Sequence, residues 1–313
     1  MKCMARIAAL QLAAWILCVA VPTAHGVILY WSKDRATFEP HSCVYAGSGW
    51  QFQGQWRDFL GTPIASSYFI TAKHVGGTVG DPFTYNGHVY TTTASYASPD
   101  SDLQIWKVST PFSTYAPLYT KSNEAGRTMV TFGRGTTRGN AVSVGGQTKG
   151  WIWGPSDRAQ SWGSNVVVGT LNGGSGLGDL LYFTFDASGD YFESCLSGGD
   201  SAGGIFIQDG ATWKLAGINY GADQWYSYTG GSDPGFQATI FDKGGLWTGS
   251  PGNWTYVQDK GTDIPARSYG TRIYSNLSWI SSVIGTPMAA TPEPASLAVL
   301  LLGLGALAGR RRL

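Results

Sequence analysis

Leu196-Ser197-Gly198-Gly199-Asp200-Ser201-Ala202-Gly203-Gly204-Ile205-Phe206 sets one serine among four glycines, directly after an aspartate and ahead of an apolar run. Glycine lets the backbone take positive φ and approach another molecule closely. A serine on such a turn can present its hydroxyl to a substrate while neighbouring N–H groups point the same way. The plainer reading is a glycine-rich hairpin turn, so residues elsewhere in the chain decide between the two.

The 313 residues suffice for one large or two small domains with a real core. Charged residues are 13% of the chain, about half the usual share, and the 44 glycines are about twice the usual proportion. With 13 Trp and 16 Tyr beside them, this composition points to many short strands joined by tight turns and argues against a disordered chain. A net charge of +1 gives no electrostatic footing for nucleic acid as a partner.

Both ends read as address labels. Lys2 and Arg6 precede the apolar run Ile7–Val21, and Ala24-His25-Gly26 offers small residues at the positions a signal peptidase reads, so residues 1–26 are expected to be a signal peptide. At the other end Thr291-Pro292-Glu293-Pro294 precedes the apolar Ala295–Ala308 and the cluster Arg310-Arg311-Arg312. That run is short for a membrane span. The order Pro-Glu-Pro, apolar helix, arginine cluster resembles the PEP-CTERM sorting tail of Gram-negative bacteria. The resemblance implies export to the cell envelope or beyond, transient membrane anchoring by residues 287–313, and removal of the tail by an exosortase.

Without the ends, the body is 27–286, and only Cys43 and Cys195 remain in it. Two leftover cysteines in an oxidising compartment often pair, but their proximity is not readable from sequence. With three histidines at no ligand spacing, neither a metal nor another cofactor is expected.

Along the body, Val27–Trp31 reads as a short strand and Ile64–Val75 as an apolar, β-branched and aromatic run with a histidine near its end. Phe83–Ser98 reads as a hairpin around Asn86-Gly87, the dipeptide a type I′ turn favours. Asp102–Val108 has strand composition without revealing its buried face. Further strands follow at Thr128–Phe132, Trp151–Trp153, Asn165–Thr170, Asp179–Phe185, and in a hairpin, Gly204–Ile207 with Thr212–Tyr220. A long Gly/Trp/Asp-rich region occupies 222–268, and a helix is predicted over 273–284 with Ile273, Leu277, Ile280 and Ile284 on one stripe. The sum is all-β, two packed barrels or a sandwich closed by one C-terminal helix.

A serine hydroxyl needs a base, and imidazole is the usual one near neutral pH. His74 stands where an apolar strand runs into a loop; His41 follows a proline in a polar loop and His88 sits at a hairpin turn. The imidazole in turn needs a carboxylate to fix its tautomer. Asp102 heads an apolar strand, whereas Asp100 lies in a polar loop. Taken singly, His74 also reads as a structural histidine and Asp102 as a turn residue.

Thr71-Ala72-Lys73-His74, Asp102-Leu103-Gln104-Ile105 and Gly199-Asp200-Ser201-Ala202-Gly203-Gly204 occur in the order His, Asp, Ser, and resemble the signature segments of the chymotrypsin-like (trypsin-fold) serine proteases. Ala216-Gly217-Ile218-Asn219-Tyr220-Gly221 resembles the strand lining that family's specificity pocket, and Tyr274–Ile280 its C-terminal helix. The resemblance implies two packed six-stranded antiparallel β-barrels, 27–120 and 121–286, with an insertion at 222–268. It implies a protein or peptide substrate, Ser201 as nucleophile, His74 as general base and Asp102 as orienting carboxylate. Gly199 and Ser201 would supply oxyanion N–H groups, and Asp200 would support them by pairing with a freshly cut N-terminal ammonium. Cys195, Asn219, Tyr220 and Gly221 fall at substrate-binding positions.

Departures bear on activation and specificity. The family's basic residue before Ile-Val-Gly-Gly is absent, and Val27, exposed by signal cleavage, is the expected source of the ammonium. Val75 replaces the cysteine that follows the histidine in the family. Cys195 stands where trypsins carry the aspartate that selects Lys or Arg, so an uncharged side chain before the scissile bond is expected. The 222–268 region is long enough to cover the site, and its Trp225, Trp247 and Trp254 read as core filling ahead of peptide or sugar contacts. Two other classes compete with an exported endopeptidase: a catalytically silent trypsin-fold binding or adhesion protein, and an aromatic-rich protein associating with extracellular polysaccharide. The triad argues against the first, and the ordered motifs against the second.

Overall fold

The computed structural model describes residues 26–33, 36–40 and 44–285. His41, Cys43 and nearly all of the two terminal address segments lie outside them.

After a short β1 (Ile28–Leu29), six strands build the first unit: β2 (Gly54–Trp56), β3 (Phe59–Ala65), β4 (Tyr68–Ala72), β5 (Pro82–Tyr85), β6 (His88–Ala97) and β7 (Leu103–Val108). They close into a barrel in the order β2-β3-β4-β7-β6-β5. Period-two alternation sets which side chains turn inward: in β5, Phe83 and Tyr85 are buried while Pro82 and Thr84 are exposed. Inside, Phe69 stacks on Phe83 at 3.9 Å and Trp56 packs on Trp106 at 4.6 Å. Each such ring, fully removed from water, contributes about 1.5–3 kcal/mol. Asn86 and Gly87 both take positive φ (48° and 74°), as a type I′ turn requires.

Two expectations are refined here. The apolar run 64–75 is not one strand: Ser66-Ser67 turns the chain between β3 and β4, and Lys73–Val75 forms a 3-10 turn at the barrel rim. In β7 both faces are buried, with Leu103, Gln104, Ile105, Trp106 and Val108 all withdrawn from solvent.

The second half contributes β8 (Thr128–Gly133), β9 (Thr136–Val144), β10 (Gln147–Ser156), β11 (Ser161–Val166), β12 (Gly169–Asn172), β13 (Asp179–Thr184), β14 (Ser194–Cys195), β15 (Gly204–Asp209) and β16 (Thr212–Ala222). The region after β16 holds β17 (Trp225–Ser227), β18 (Phe236–Ile240), β19 (Trp247–Ser250) and β20 (Asn253–Tyr256); β21 (Arg267–Arg272) and helix α1 (Leu277–Ile284) close the chain. A seven-stranded sheet runs β11-β8-β15-β16-β21-β13-β12. The β9–β10 hairpin belongs to a separate six-stranded sheet, β20-β19-β17-β18-β10-β9, completed by the region after β16. That region is therefore paired structure with its own core of Val142, Tyr226, Ala238, Ile240, Leu246 and Ala266.

Helix α1 begins four residues later than the stripe predicts. Tyr274–Asn276 form a 3-10 turn, because the Asn276 amide reaches back to the Arg272 carbonyl (2.7 Å) and its φ of −104° leaves the α region. Ile273, Leu277 and Ile280 are buried as expected, in one core with barrel residues and with Phe132, Phe206 and Ile218 of the seven-stranded sheet. Gly285 stops the helix in the left-handed conformation at φ 73°. A bidentate Arg272–Glu124 pair (2.7 and 2.8 Å) ties β21 to the segment linking the two units. Removing either partner of such a buried pair costs about 3–5 kcal/mol. A β-barrel, a second β unit and a C-terminal helix are consistent with the trypsin-like fold.

Candidate active site

His74 and Asp102 stand 28 positions apart yet meet, because β4 and β7 are antiparallel neighbours with Ala72 opposite Leu103. Both residues leave those strands at the same rim. The Lys73 N–H donates to the Asp102 carbonyl (2.8 Å) and the His74 N–H to Asp102 Oδ1 (3.0 Å), so the carboxylate is fixed before the ring is considered. His74 Nδ1 then lies 2.6 Å from Asp102 Oδ2, and Nε2 lies 2.8 Å from Ser201 Oγ. The tautomer that donates from Nδ1 to the carboxylate leaves Nε2 to accept the serine hydroxyl proton. The Asp102 side chain is 6% exposed and His74 39%, so the carboxylate is shielded while the imidazole faces the cleft.

The loop carrying Asp102 is held from behind. Lys73 Nζ donates to the carbonyls of Ser98 (3.1 Å) and Ser101 (2.9 Å). The Ser101 hydroxyl donates to Asn276 Oδ1 (2.8 Å), which connects this loop to the start of α1.

The serine turn belongs to the other unit. Asp200 is fully buried, and its carboxylate accepts the Gly135 N–H (2.8 Å), the Ser197 N–H (2.7 Å) and the Ser197 hydroxyl (3.0 Å). Gly133 and Gly135 are required there, because a Cβ on either would lie 1.9 to 2.6 Å from a carboxylate oxygen of Asp200. Gly199 has φ 104°, and Ala202, directly after the serine, sits in the left-handed region at φ 67°. For a non-glycine residue that conformation costs about 1–2 kcal/mol. It is held by the Ala202 N–H donating to the Asn219 carbonyl (3.0 Å) and by the Asn219 side chain, whose amide donates to Phe132 O (2.7 Å) and Asp200 O (3.0 Å). Among the described residues neither the Gly199 nor the Ser201 N–H donates to a protein acceptor.

A cleft of about 430 Å³ opens beside Ser201, lined by His74, Trp153, Ser197, Gly198, Tyr220, Gly221, Ala222, Gln224 and Tyr269. Of the residues expected to bind substrate, Tyr220 and Gly221 line it. The side chains of Cys195 and Asn219 do not. Cys195 is 1% exposed, a free thiol packed with Trp151, Phe185 and Phe241, with Sγ 3.2 Å from Ser268 Oγ. Burial pushes that thiol up to about 12. Asn219 is fully buried as the brace just described. The open question of whether Cys43 and Cys195 pair falls outside the described residues through Cys43. His88 and Asp100 are exposed and away from the cleft lining.

Sequence reading missed Trp153, Gln224 and Tyr269 in the cleft, and Gly135 and Lys73 behind it. Trp153 arrives from the β9–β10 hairpin and Tyr269 from the strand opposite Gly221, so neither bears a local mark. Upstream of the serine turn, Glu193 is buried beside Asp186 and Asp190. Desolvation pushes its carboxyl up to about 8, although Oε1 accepts the Asp186 N–H (3.0 Å) and the Asn165 amide (2.9 Å). Among the described residues no group of three His, Cys, Asp or Glu is placed to hold a metal ion, and no helix is long and apolar enough to cross a membrane.

Residues 290–312 match the PEP-CTERM protein-sorting motif, which indicates export, C-terminal sorting to the cell envelope and processing by an exosortase. No curated protein matches the chain. Among solved structures the chain is similar to neuropsin, a serine protease expressed in the limbic system of mouse brain. The two are 13% identical, the match covers 76% of this chain and 96% of that one, and the TM-score is 0.47.

Proposed function

We propose that the chain is an exported serine endopeptidase acting through an acyl-enzyme, with Ser201 as nucleophile, His74 as base then acid, and Asp102 as orienting carboxylate. The observation that carries this reading is the continuous relay Asp102 Oδ2, His74, Ser201 Oγ, with spacings of 2.6 and 2.8 Å at the mouth of the cleft. In the first step His74 Nε2 takes the hydroxyl proton as Ser201 Oγ attacks the peptide carbonyl, and Asp102 stabilises the imidazolium that forms. The N–H groups of Gly199 and Ser201 receive the developing oxyanion, each worth about 3–4 kcal/mol in the transition state. The imidazolium returns its proton to the leaving amine, and water repeats the sequence to free the acid.

The cleft walls of Trp153, Tyr220 and Tyr269 carry no formal charge, which supports an uncharged side chain before the scissile bond. For activation, signal cleavage after Gly26 would make Val27 an ammonium. Val27 is fully buried in one cluster with Leu196, and Ile28 pairs opposite Cys195, on the segment that leads into the serine turn. A form with a blocked or extended N-terminus is then inactive; full activity in such a form refutes this route.

The decisive experiment is labelling of purified mature chain with a fluorophosphonate, mapped by peptide mass. Modification of Ser201 that disappears in Ser201→Ala is expected. An unlabelled, folded chain overturns the hydrolase reading in favour of display or binding.

A further inference from the structure

The side chains that wall the cleft beside Ser201 have spent most of their hydrogen-bonding capacity within the fold. Trp153 Nε1 donates to Thr239 Oγ1 (2.9 Å), the Tyr269 hydroxyl to Asp223 Oδ1 (2.9 Å), and the Ser197 hydroxyl to Asp200 (3.0 Å). His74 and Ser201 face each other. Among the described residues two polar groups of the lining have no protein partner: the Tyr220 hydroxyl and Gln224 Nε2. The Tyr220 ring meets the His74 imidazole edge to face, with centroids 5.7 Å apart, so Tyr220 belongs to the catalytic end of the cleft. Gln224 is the remaining group that can read a ligand side chain.

Gln224 is held with its donors free and its acceptor used. Gln237 Nε2, from β18, donates to Gln224 Oε1 (2.9 Å), which fixes the carboxamide and leaves both Nε2 hydrogens to the cleft. The backbone is fixed as well: the Ala238 N–H donates to the Gln224 carbonyl (3.0 Å), and the Asp223 N–H donates to the Arg267 carbonyl (2.8 Å). The amide is therefore carried by hydrogen-bonded strands between β16 and β17.

This arrangement ranks the side chains that could fill the cleft. An apolar one strips water from the Gln224 N–H groups and leaves them unpaired, which is costly. A carboxylate accepts from them but loses its hydration without a counter-charge, because among the described residues no Lys or Arg lines the cleft. A Lys or Arg side chain brings donors to a donor. A carboxamide offers an acceptor oxygen and no net charge, and the Trp153 and Tyr269 rings, each held by its own hydrogen bond, remain to cover its methylenes.

We infer that Gln224 is a specificity-determining residue that selects glutamine, or the shorter asparagine, before the scissile bond by donating from Nε2 to the amide oxygen. This rests on the hydrolase reading above and names the substrate side chain for it.

The test uses the mature chain and fluorogenic peptides that differ only in the residue before the scissile bond: Gln, Met of similar length, or Glu. Gln is expected to exceed Met in kcat/KM by about fivefold, the worth of one neutral hydrogen bond, and to exceed Glu as well. In Gln224→Leu the Gln-to-Met ratio is expected to fall to one or below. In Gln224→Lys, which donates and also carries charge, Glu is expected to overtake Gln. Each ratio compares two substrates on one sample, so a partly unfolded variant still reports it. The ratio in the parent chain needs no variant at all. Equal cleavage of Gln and Met peptides by the parent overturns the inference, as does a ratio unchanged in Gln224→Leu. Fluorophosphonate labelling of the parent separates the two readings. A chain that labels and cleaves without preferring Gln loses only the Gln224 subsite, whereas a folded chain that never labels loses both.

Discussion

The serine turn and the sheet built from β17–β20 are both written in glycine, yet the glycines serve opposite purposes. Around Ser201 they make room for polar atoms: Gly133 and Gly135 admit the Asp200 carboxylate, and Gly199 turns the backbone so that N–H groups remain unspent. In the inserted sheet they make room for rings. A Cβ on Gly230 would sit 2.6 Å from the Trp247 indole, and one on Gly235 would sit 2.6 Å from Trp254, whose Nε1 donates to Asp233 O (3.1 Å). One region holds strain and unused donors, as at Ala202 and Gly199, while the other buries apolar surface. Glycine content alone does not separate a reactive turn from a packed one; what enters the vacated space does.

The largest effect is expected at the serine turn. Ser201→Ala or His74→Ala should lower kcat on peptide substrates by at least about 10⁴-fold. Tm should move little, because His74 is exposed and Ser201 only half-buried. Peptide hydrolysis with a parallel thermal melt checks this, and loss of folding together with activity would blur the contrast between the regions. Asp200→Asn comes next. It turns an amide NH₂ towards backbone donors in a fully buried site, and should cost about 3 kcal/mol and slow fluorophosphonate labelling together.

Gly235→Ala tests the other region. It meets the Trp254 ring from a residue at φ 71°, and should cost about 1–3 kcal/mol in chemical denaturation with the labelling rate of Ser201 kept. A labelling rate that fell in step with stability would mean that the inserted sheet and the turn are coupled. The smallest effect on the labelling rate of Ser201 is expected at Glu193, whose carboxyl is raised from 4.5 to about 8 in the folded chain. The folded state then holds a proton that the unfolded state has released, so stability is full below about pH 4.5 and declines as pH rises towards 8. Glu193→Gln should remove that slope, so that the Tm difference between pH 5 and pH 8 narrows.

Much of the first barrel was legible because its signals are local. Asn86-Gly87 can take positive φ at adjacent positions, and Phe83 and Tyr85 alternate with polar neighbours. Even so, the run 64–75 gave no sign that Ser66-Ser67 would fold it back, since two serines are compatible with either a strand or a turn. The inserted region was harder. Its partners, β9 and β10, lie some 70 to 100 residues upstream, and only pairing such as Trp151 with Thr239 makes a sheet of it.

The chain by itself determined the order His74, Asp102, Ser201, the glycines that let the serine turn form, the apolar stripe that closes the fold, and the sorting tail that removes the protein from the cytoplasm. Residue type and local spacing are sufficient for these, because backbone freedom, amphipathic period and motif order are properties of neighbours in sequence. Tertiary structure alone decided that Cys195 turns into the core, that Asn219 braces the turn, and that Trp153, Gln224 and Tyr269 wall the cleft. Each of those outcomes depends on which distant strand arrives alongside and which hydrogen-bonding groups it has already used.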